Sequence, residues 1–208
     1  LEALQIGQAL RLEDGTLLGL RLDARGVDEF DTVSAHVSAK KFDGECMMIQ
    51  YPWDIFSKNA EALEQDFDLI TAGRKSQTLS KTNTLLGDRI FAEEGAYAEC
   101  AILNSTTGAI YLGNDSEVME GSVVRGGLAL CEHASLKLST KIYGATTVGP
   151  HSKVGGEVNN SVIIGYSNKG HEGFLGNSVL GEWCNLGADT NNSNLKNNYA
   201  EVKLWSYA

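Results

Sequence analysis

Aliphatic residues recur at every sixth position in the middle of the chain, and this repeat constrains the fold more than any other feature. The repeat is uninterrupted through Leu112, Val118, Val124, Leu130, Leu136, Ile142, Val148 and Val154. A helix would need a period of about 3.6 and a lone strand a period of about 2, so neither fits. A strict six is typical of hexapeptide-repeat β-helices, whose short strands and turns wind around a three-sided core. We therefore predict a mainly β fold, a left-handed parallel β-helix.

Because three hexads make one coil of such a helix, the repeat also predicts which residues stack. Leu112, Leu130 and Val148 should form one ladder, with neighbours about 4.8 Å apart, the usual distance between paired strands. His133 and His151 occupy equivalent positions and should stack on adjacent coils. Small residues should pack beside the aliphatic ones four places after them; these are Ser116, Ser122, Ala134, Thr140, Thr146 and Ser152.

The chain before the repeat reads as a small α+β segment. Residues 5–22 predict two strands around Asp14-Gly15, a hairpin turn signal. Apolar residues at helical spacing predict a helix over 52–72, with Gly73 just past its end. We predict a first segment over 1–75, a polar connector over 76–89, and a β-helix over 90–208 that we expect to continue past residue 208.

Composition excludes several partners. The formal net charge of −10 would repel the phosphates of a nucleic acid. No apolar run approaches the roughly 20 residues that a membrane-spanning helix needs. The cysteines are far apart and form no C-x-x-C pair, so we expect buried thiols in a cytoplasmic protein rather than a disulfide framework. They are Cys46, Cys100, Cys131 and Cys184.

The repeat falters after Val154, and residues 165–173 predict a loop pushed out from a coil. Loops on a rigid scaffold commonly carry function. The segments on either side and the loop itself resemble the acetyltransferase half of bifunctional sugar-1-phosphate nucleotidyltransferase/acetyltransferases, the N-acetylglucosamine-1-phosphate uridyltransferase type. The most specific part runs from His171-x-x-Phe174-x-Gly176 to Asn185-x-Gly187-Ala188. Tyr51-Pro52-Trp53-Asp54 resembles the end of that family's nucleotidyltransferase domain, so the resemblance covers roughly residues 50–204.

The resemblance implies an acetyl-CoA-dependent transferase. In that family a histidine at the position of His171 is the general base that takes a proton from a sugar amine. Phe174, Asn185 and Asn194 match sugar-contacting positions. The family's phosphate-binding lysine and arginine align with Asn159 and near Tyr143, which leaves three nearby cations as phosphate-binding candidates: Arg125, Lys141 and Lys169.

The resemblance also implies an assembly and a second domain. The expected partners are a small sugar phosphate, acetyl-CoA as co-substrate, and two further copies of the chain, since the family forms homotrimers with active sites between neighbouring β-helices. Residues 1–75 would be a remnant or the C-terminal end of a nucleotidyltransferase-like α/β domain. Mg²⁺ would be needed only where the rest of that domain is present, because its Gly-rich nucleotide loop does not occur in these residues.

Two alternatives stay open. The β-helix can be a non-catalytic trimerisation and regulatory part of a sugar nucleotidyltransferase, its acyl site having lost phosphate-binding cations. The stacked histidines His133 and His151 invite a third hypothesis, a metal-dependent hexapeptide enzyme of the carbonic anhydrase type. Those enzymes use a His-x4-His pair that is absent here, so we predict no metal site.

Overall fold

The computed structural model describes residues 4–28, 30, 37–192, 195–201 and 203. Contacts divide the chain into two compact units, Leu1–Met48 and Ile49–Ala208. Each unit has its own sheet structure.

The first unit contains a small sheet and a short helix. In chain order its elements are β1 (Gln8–Arg11), β2 (Leu17–Arg21), α1 (Ala24–Asp28) and β3 (Ser38–Lys41). β1 pairs antiparallel with β2 and parallel with β3. The predicted hairpin is confirmed: Asp14 accepts a hydrogen bond from the amide of Thr16 at 2.9 Å, and Gly15 adopts a φ of +88° that favours glycine.

In the second unit, residues 84–182 are all described and form three parallel sheets. Sheet 1 contains β4 (Thr84–Leu86), β7 (Ile102–Asn104), β10 (Val123–Arg125), β13 (Lys141–Tyr143), β16 (Glu157–Asn159) and β19 (Phe174–Gly176). Sheet 2 contains β5 (Ile90–Ala92), β8 (Ile110–Leu112), β11 (Leu128–Leu130), β14 (Thr146–Val148), β17 (Val162–Gly165) and β20 (Val179–Glu182). Sheet 3 contains β6 (Tyr97–Ala98), β9 (Glu117–Val118), β12 (Ser135–Leu136), β15 (Lys153–Val154) and β18 (Asn168–Lys169).

The chain visits the three sheets in turn, which is consistent with a left-handed β-helix and confirms the predicted fold class. The aliphatic residues of the six-residue repeat are each at most 1% exposed. Leu112, Leu130 and Val148 pair in register along sheet 2, as the repeat predicts. The rings of His133 and His151 stack with centroids 4.8 Å apart, so the predicted coil equivalence is also correct.

Two helices cover the outer face of sheet 2. They are α2 (Pro52–Ser57) and α3 (Asn59–Thr71), separated at Lys58. Leu63 and Phe67 of α3 pack against Phe91 and Ala109 of the β-helix. Asn59 is buried at the start of α3, where its side-chain amide donates to the carbonyl of Ala145 at 2.9 Å. The helix is thus fixed on the sheet by apolar burial and by several polar contacts, including hydrogen bonds from the Thr147 hydroxyl to Asn59 and from the Ala109 amide to Glu64.

Four details differ from the sequence picture. The single helix predicted over 52–72 is divided at Lys58 into α2 and α3. The loop predicted over 165–173 contains β18, which pairs with β15 in sheet 3, so the turn that follows is only 170–173. The expectation that the thiols are buried is wrong, because Cys46 and Cys100 are exposed and Cys131 and Cys184 are only partly buried. The three-residue strand β4, within 76–89, already pairs with β7, so sheet 1 begins before residue 90. Within the described residues, no helix is both long and apolar enough to cross a membrane.

Candidate functional site

The outer face of sheet 1 brings together most of the residues singled out in the sequence. Because side chains alternate along each strand, the first and third residues of β10, β13 and β16 point outward while the middle residue is buried. Strand pairing arranges these outward residues in two columns. One column runs through Val123, Lys141, Glu157 and Phe174, and the other through Arg125, Tyr143, Asn159 and Gly176.

An open cavity of about 590 Å³ lies over these columns. Arg125 and Lys141 contribute cations to its lining, Glu157 contributes a carboxylate, and Val123 and Tyr143 contribute apolar surface. A guanidinium and an ammonium in one groove suit a phosphate group, while the carboxylate and phenol suit hydroxyl or amino groups. The groove therefore offers the chemistry that a small phosphorylated polar molecule needs.

Glu157 is the site residue that sequence reasoning missed. Its carboxylate accepts a hydrogen bond from the Tyr143 hydroxyl on the neighbouring strand. That hydrogen bond, together with a smaller effect of burial, raises the pKa of Tyr143. The alternation along β16 contained the signal, since Glu157 lies two positions before Asn159 and so points to the same side of the sheet.

His171 lies in a four-residue turn, 170–173, which connects β18 of sheet 3 to β19 of sheet 1. The residue is exposed, and its imidazole makes no hydrogen bond or ion pair with any residue that the structure describes. The next residue, Glu172, places a carboxylate oxygen 3.6 Å from the ammonium of Lys141. Since both partners of this pair are about half exposed, it contributes little stability, but it shows that the turn lies beside the sheet 1 groove.

Lys169 is placed differently from the other two cations. It is 3% exposed, and its Nζ donates hydrogen bonds to the backbone carbonyls of Gly155 at 2.9 Å and His171 at 2.7 Å. Burial lowers the pKa of this ammonium. The ammonium is thus taken up inside the coil, and the placement does not favour Lys169 as a phosphate ligand.

Asn185 does not lie on the face of sheet 1 that carries Asn159. Asn185 is exposed and bridges to Asn168, which places it at sheet 3 rather than sheet 1. Asn194 lies outside the described residues. Arg125, Lys141, Tyr143, Asn159 and Phe174 therefore share one face of this chain, His171 lies at its border, and Asn185 faces elsewhere.

The histidine stack extends further than expected. The ring of His151 also stacks on Tyr166, and Tyr166 stacks on Trp183, with centroid distances of 4.9 and 5.0 Å. These rings follow the corner between sheets 2 and 3, away from the groove. A search of the described residues found no group of three or more His, Cys, Asp or Glu side chains placed to hold a metal ion.

Comparison with known families adds one finding. A family model described as sugar nucleotidyl transferase matches residues 1–75. The match covers the first unit and both helices α2 and α3, but little more than a third of the chain. No curated protein matches the sequence.

The family match and the β-helix together support a sugar-related transferase. The matching family model describes enzymes of sugar nucleotides, and the groove on sheet 1 separately carries two cations of a kind that suits phosphate. The match concerns the N-terminal segment, whereas the groove and His171 belong to the β-helix.

Proposed function

We propose that the β-helix is an acyltransferase module of a sugar-1-phosphate nucleotidyltransferase/acetyltransferase, of the N-acetylglucosamine-1-phosphate uridyltransferase type. It would transfer an acetyl group from acetyl-CoA to the amino group of a sugar phosphate. The observation that carries this proposal is the exposed imidazole of His171, held in a turn at the border of a groove containing Arg125 and Lys141. A base beside an anion-binding groove suits proton removal from a phosphorylated amine.

His171 would act as general base. The sugar nitrogen attacks the thioester carbonyl, and the imidazole takes the proton that the nitrogen loses. The carbon–sulfur bond then breaks, and the same proton leaves with the coenzyme A thiol. A neutral imidazole has one ring nitrogen that can accept this proton and return it, and such a base typically contributes about 10²–10⁴ in rate. Holding the amine and thioester together supplies a further large part of the acceleration.

The groove would hold the sugar phosphate. Arg125 and Lys141 would bind the phosphate through charge-assisted hydrogen bonds, which are about twice as strong as neutral ones. Glu157, Tyr143 and Asn159 would bind sugar hydroxyls, and the ring of Phe174 would pack against the apolar face of the sugar. Lys141 would exchange its contact with Glu172 for the phosphate when the ligand binds.

A homotrimer fits the placement of Asn185. Asn185 lies at sheet 3 and so does not face the groove of its own chain. In a trimer with sites between neighbouring β-helices, Asn185 and Asn194 of one copy would contact a sugar held on sheet 1 of the next. We place this assembly in the cytoplasm, where acetyl-CoA is supplied.

The test is to replace His171 with Ala and follow release of coenzyme A thiol from acetyl-CoA with a panel of amino-sugar phosphates. We expect turnover to fall by about 10²–10⁴, with an unchanged melting temperature because the side chain is exposed. His133→Ala is the matched control, since it removes an exposed-corner imidazole away from the groove and should leave turnover intact. Equal turnover in H171A and wild type would remove the proposed base.

The second candidate is a non-catalytic trimerisation and regulatory scaffold. Two observations favour it. Asn159, which aligns with a phosphate-binding lysine of the family, has a neutral side chain. The ammonium of Lys169, which could have replaced that lysine, is hydrogen-bonded inside the coil. Titration calorimetry with acetyl-CoA separates the two functions. Binding to the assembled protein supports the acyltransferase, whereas no heat at millimolar ligand supports the scaffold.

A further inference from the structure

Lys169 occupies a position at which the four preceding coils have core residues. Strand pairing along sheet 3 aligns it with Val154, and Val154 with Leu136 in the coil before. Ala98 and Val118 precede them in the same ladder. All four of these residues are buried and apolar. A lysine at the next step places its aliphatic stem where a valine or leucine would pack.

Placing an ammonium there is unfavourable unless it is compensated. Removing a charge from water is costly, and hydrogen bonds to the charged group can offset that cost. Here the Nζ donates hydrogen bonds to two backbone carbonyls: that of Gly155 in the preceding coil at 2.9 Å, and that of His171 in the following turn at 2.7 Å. The second acceptor is the carbonyl of His171. The buried charge is thus connected directly to the backbone of the candidate base.

The turn that carries His171 has the same length as the turns 119–122 and 137–140 at this corner, but it lies on a shorter one. One coil earlier, only Gly155 and Gly156 separate the sheet 3 strand from the sheet 1 strand, whereas 170–173 contains twice as many residues. The longer turn lies closely on the shorter one: a Cβ on Gly156 would be 2.9 Å from the carbonyl oxygen of His171. On its other side, the carbonyl of Glu172 accepts a hydrogen bond from the amide of Asp189 at 3.1 Å.

We propose that Lys169 is a positioning residue whose buried ammonium fixes the backbone of the 170–173 turn and so aims the His171 imidazole at the sheet 1 groove. The effect of Lys169 on turnover rests on the proposed acyltransferase function. The effect of Lys169 on the rigidity of the turn is independent of that function. The proposal explains why a charged residue replaces an aliphatic one at this step of the ladder.

The test replaces Lys169 with Met, which keeps an unbranched apolar side chain and removes the ammonium, and with Leu, the residue of the Leu136 step. Lys153→Met is the matched control, because Lys153 is an exposed lysine on the preceding strand of the same sheet. Order parameters from ¹⁵N relaxation report the turn directly. We expect values of about 0.85 for 170–173 in wild type and K153M, and below about 0.6 in K169M and K169L.

Turnover gives the second measurement. We expect kcat to fall at least tenfold in K169M and KM to stay within twofold of the wild-type value. Substrate binding on sheet 1 is retained, and only the orientation of the His171 imidazole is lost. The melting temperature should be retained, since an apolar side chain fits the ladder. A rigid turn in both Lys169 variants would overturn the proposal whatever the activity. If wild type itself has no turnover, the proposed function fails, and the order parameters alone decide the role of Lys169.

Discussion

At the scale of single residues, the small positions of the six-residue repeat show two ways of burying a hydroxyl group. Ser122 is fully buried, and its Oγ donates to the carbonyl of Lys137 at 3.0 Å. Ser116 lies at the equivalent place one hexad earlier and is 1% exposed, but its Oγ has no hydrogen-bond partner among the described residues. A buried hydroxyl without a partner costs about 1–3 kcal/mol, while a made hydrogen bond contributes about 0.5–1.5 kcal/mol.

The two serines should therefore respond to alanine with opposite signs. We expect Ser116→Ala to raise the free energy of unfolding by about 1 kcal/mol, because it removes an unsatisfied group without leaving a large cavity. Ser122→Ala should lower it by about 1 kcal/mol. Urea unfolding followed by circular dichroism measures both. A loss of stability in S116A equal to that in S122A would show that the Ser116 hydroxyl has a partner.

The same scale shows what a sequence can reveal about the core and the site. The repeat correctly predicts that its aliphatic residues from Leu112 to Val154 form the core, because each coil there has the same length as the one before. It does not predict the burial of Lys169, since coils after Val154 differ in length and a residue's coil position can no longer be counted. The resemblance does not predict the position of Asn185 either. A sequence resemblance can assign a residue to a site, but it does not say on which sheet of the β-helix the residue lies.

At the scale of elements, the end of α3 is joined to sheet 2 by a partly buried polar network around the buried Glu93. Arg74 follows the helix and makes two hydrogen bonds to the Glu93 carboxylate, at 2.8 and 2.5 Å. The Tyr111 hydroxyl donates to the same carboxylate at 2.7 Å. The Arg74 guanidinium lowers the pKa of Glu93, and burial, followed by the contact with Glu93, raises the pKa of Tyr111 to about 12. This network could not be predicted from the sequence, because its members lie on three separate segments.

The raised pKa of Tyr111 predicts a loss of stability in alkali. Its ordinary value is 10.0, so the unfolded chain gives up this proton before the folded chain does. The contribution is fully present below pH 10 and is lost as the pH rises toward about 12. We expect the difference in urea midpoint between wild type and Tyr111→Phe to be constant from pH 7 to about 9.5 and to shrink above pH 10. A constant difference up to pH 11.5 would contradict the assignment.

At the scale of the whole molecule, two boundaries disagree. The sugar nucleotidyl transferase match ends at residue 75, as does the first segment predicted from the sequence. The contacts instead divide the chain after Met48 and leave α2 and α3 with the β-helix. The difference matters because Leu63 and Phe67 of α3 cover Phe91 and Ala109 on sheet 2. A homology boundary follows descent, whereas a folding boundary follows the burial of apolar surface.

Two truncations distinguish these boundaries. We expect a fragment of residues 49–208 to be soluble and to unfold in one cooperative transition, because it keeps sheet 2 covered. A fragment of residues 76–208 should expose the apolar face beneath α3, bind a hydrophobic dye such as ANS, and melt lower or aggregate. Thermal unfolding and dye fluorescence on both fragments make the comparison, with 49–208 as the control for removing the N-terminal sheet. Equal melting temperatures without dye binding would place the folding boundary at residue 75, since α3 would then contribute nothing to the stability of the β-helix.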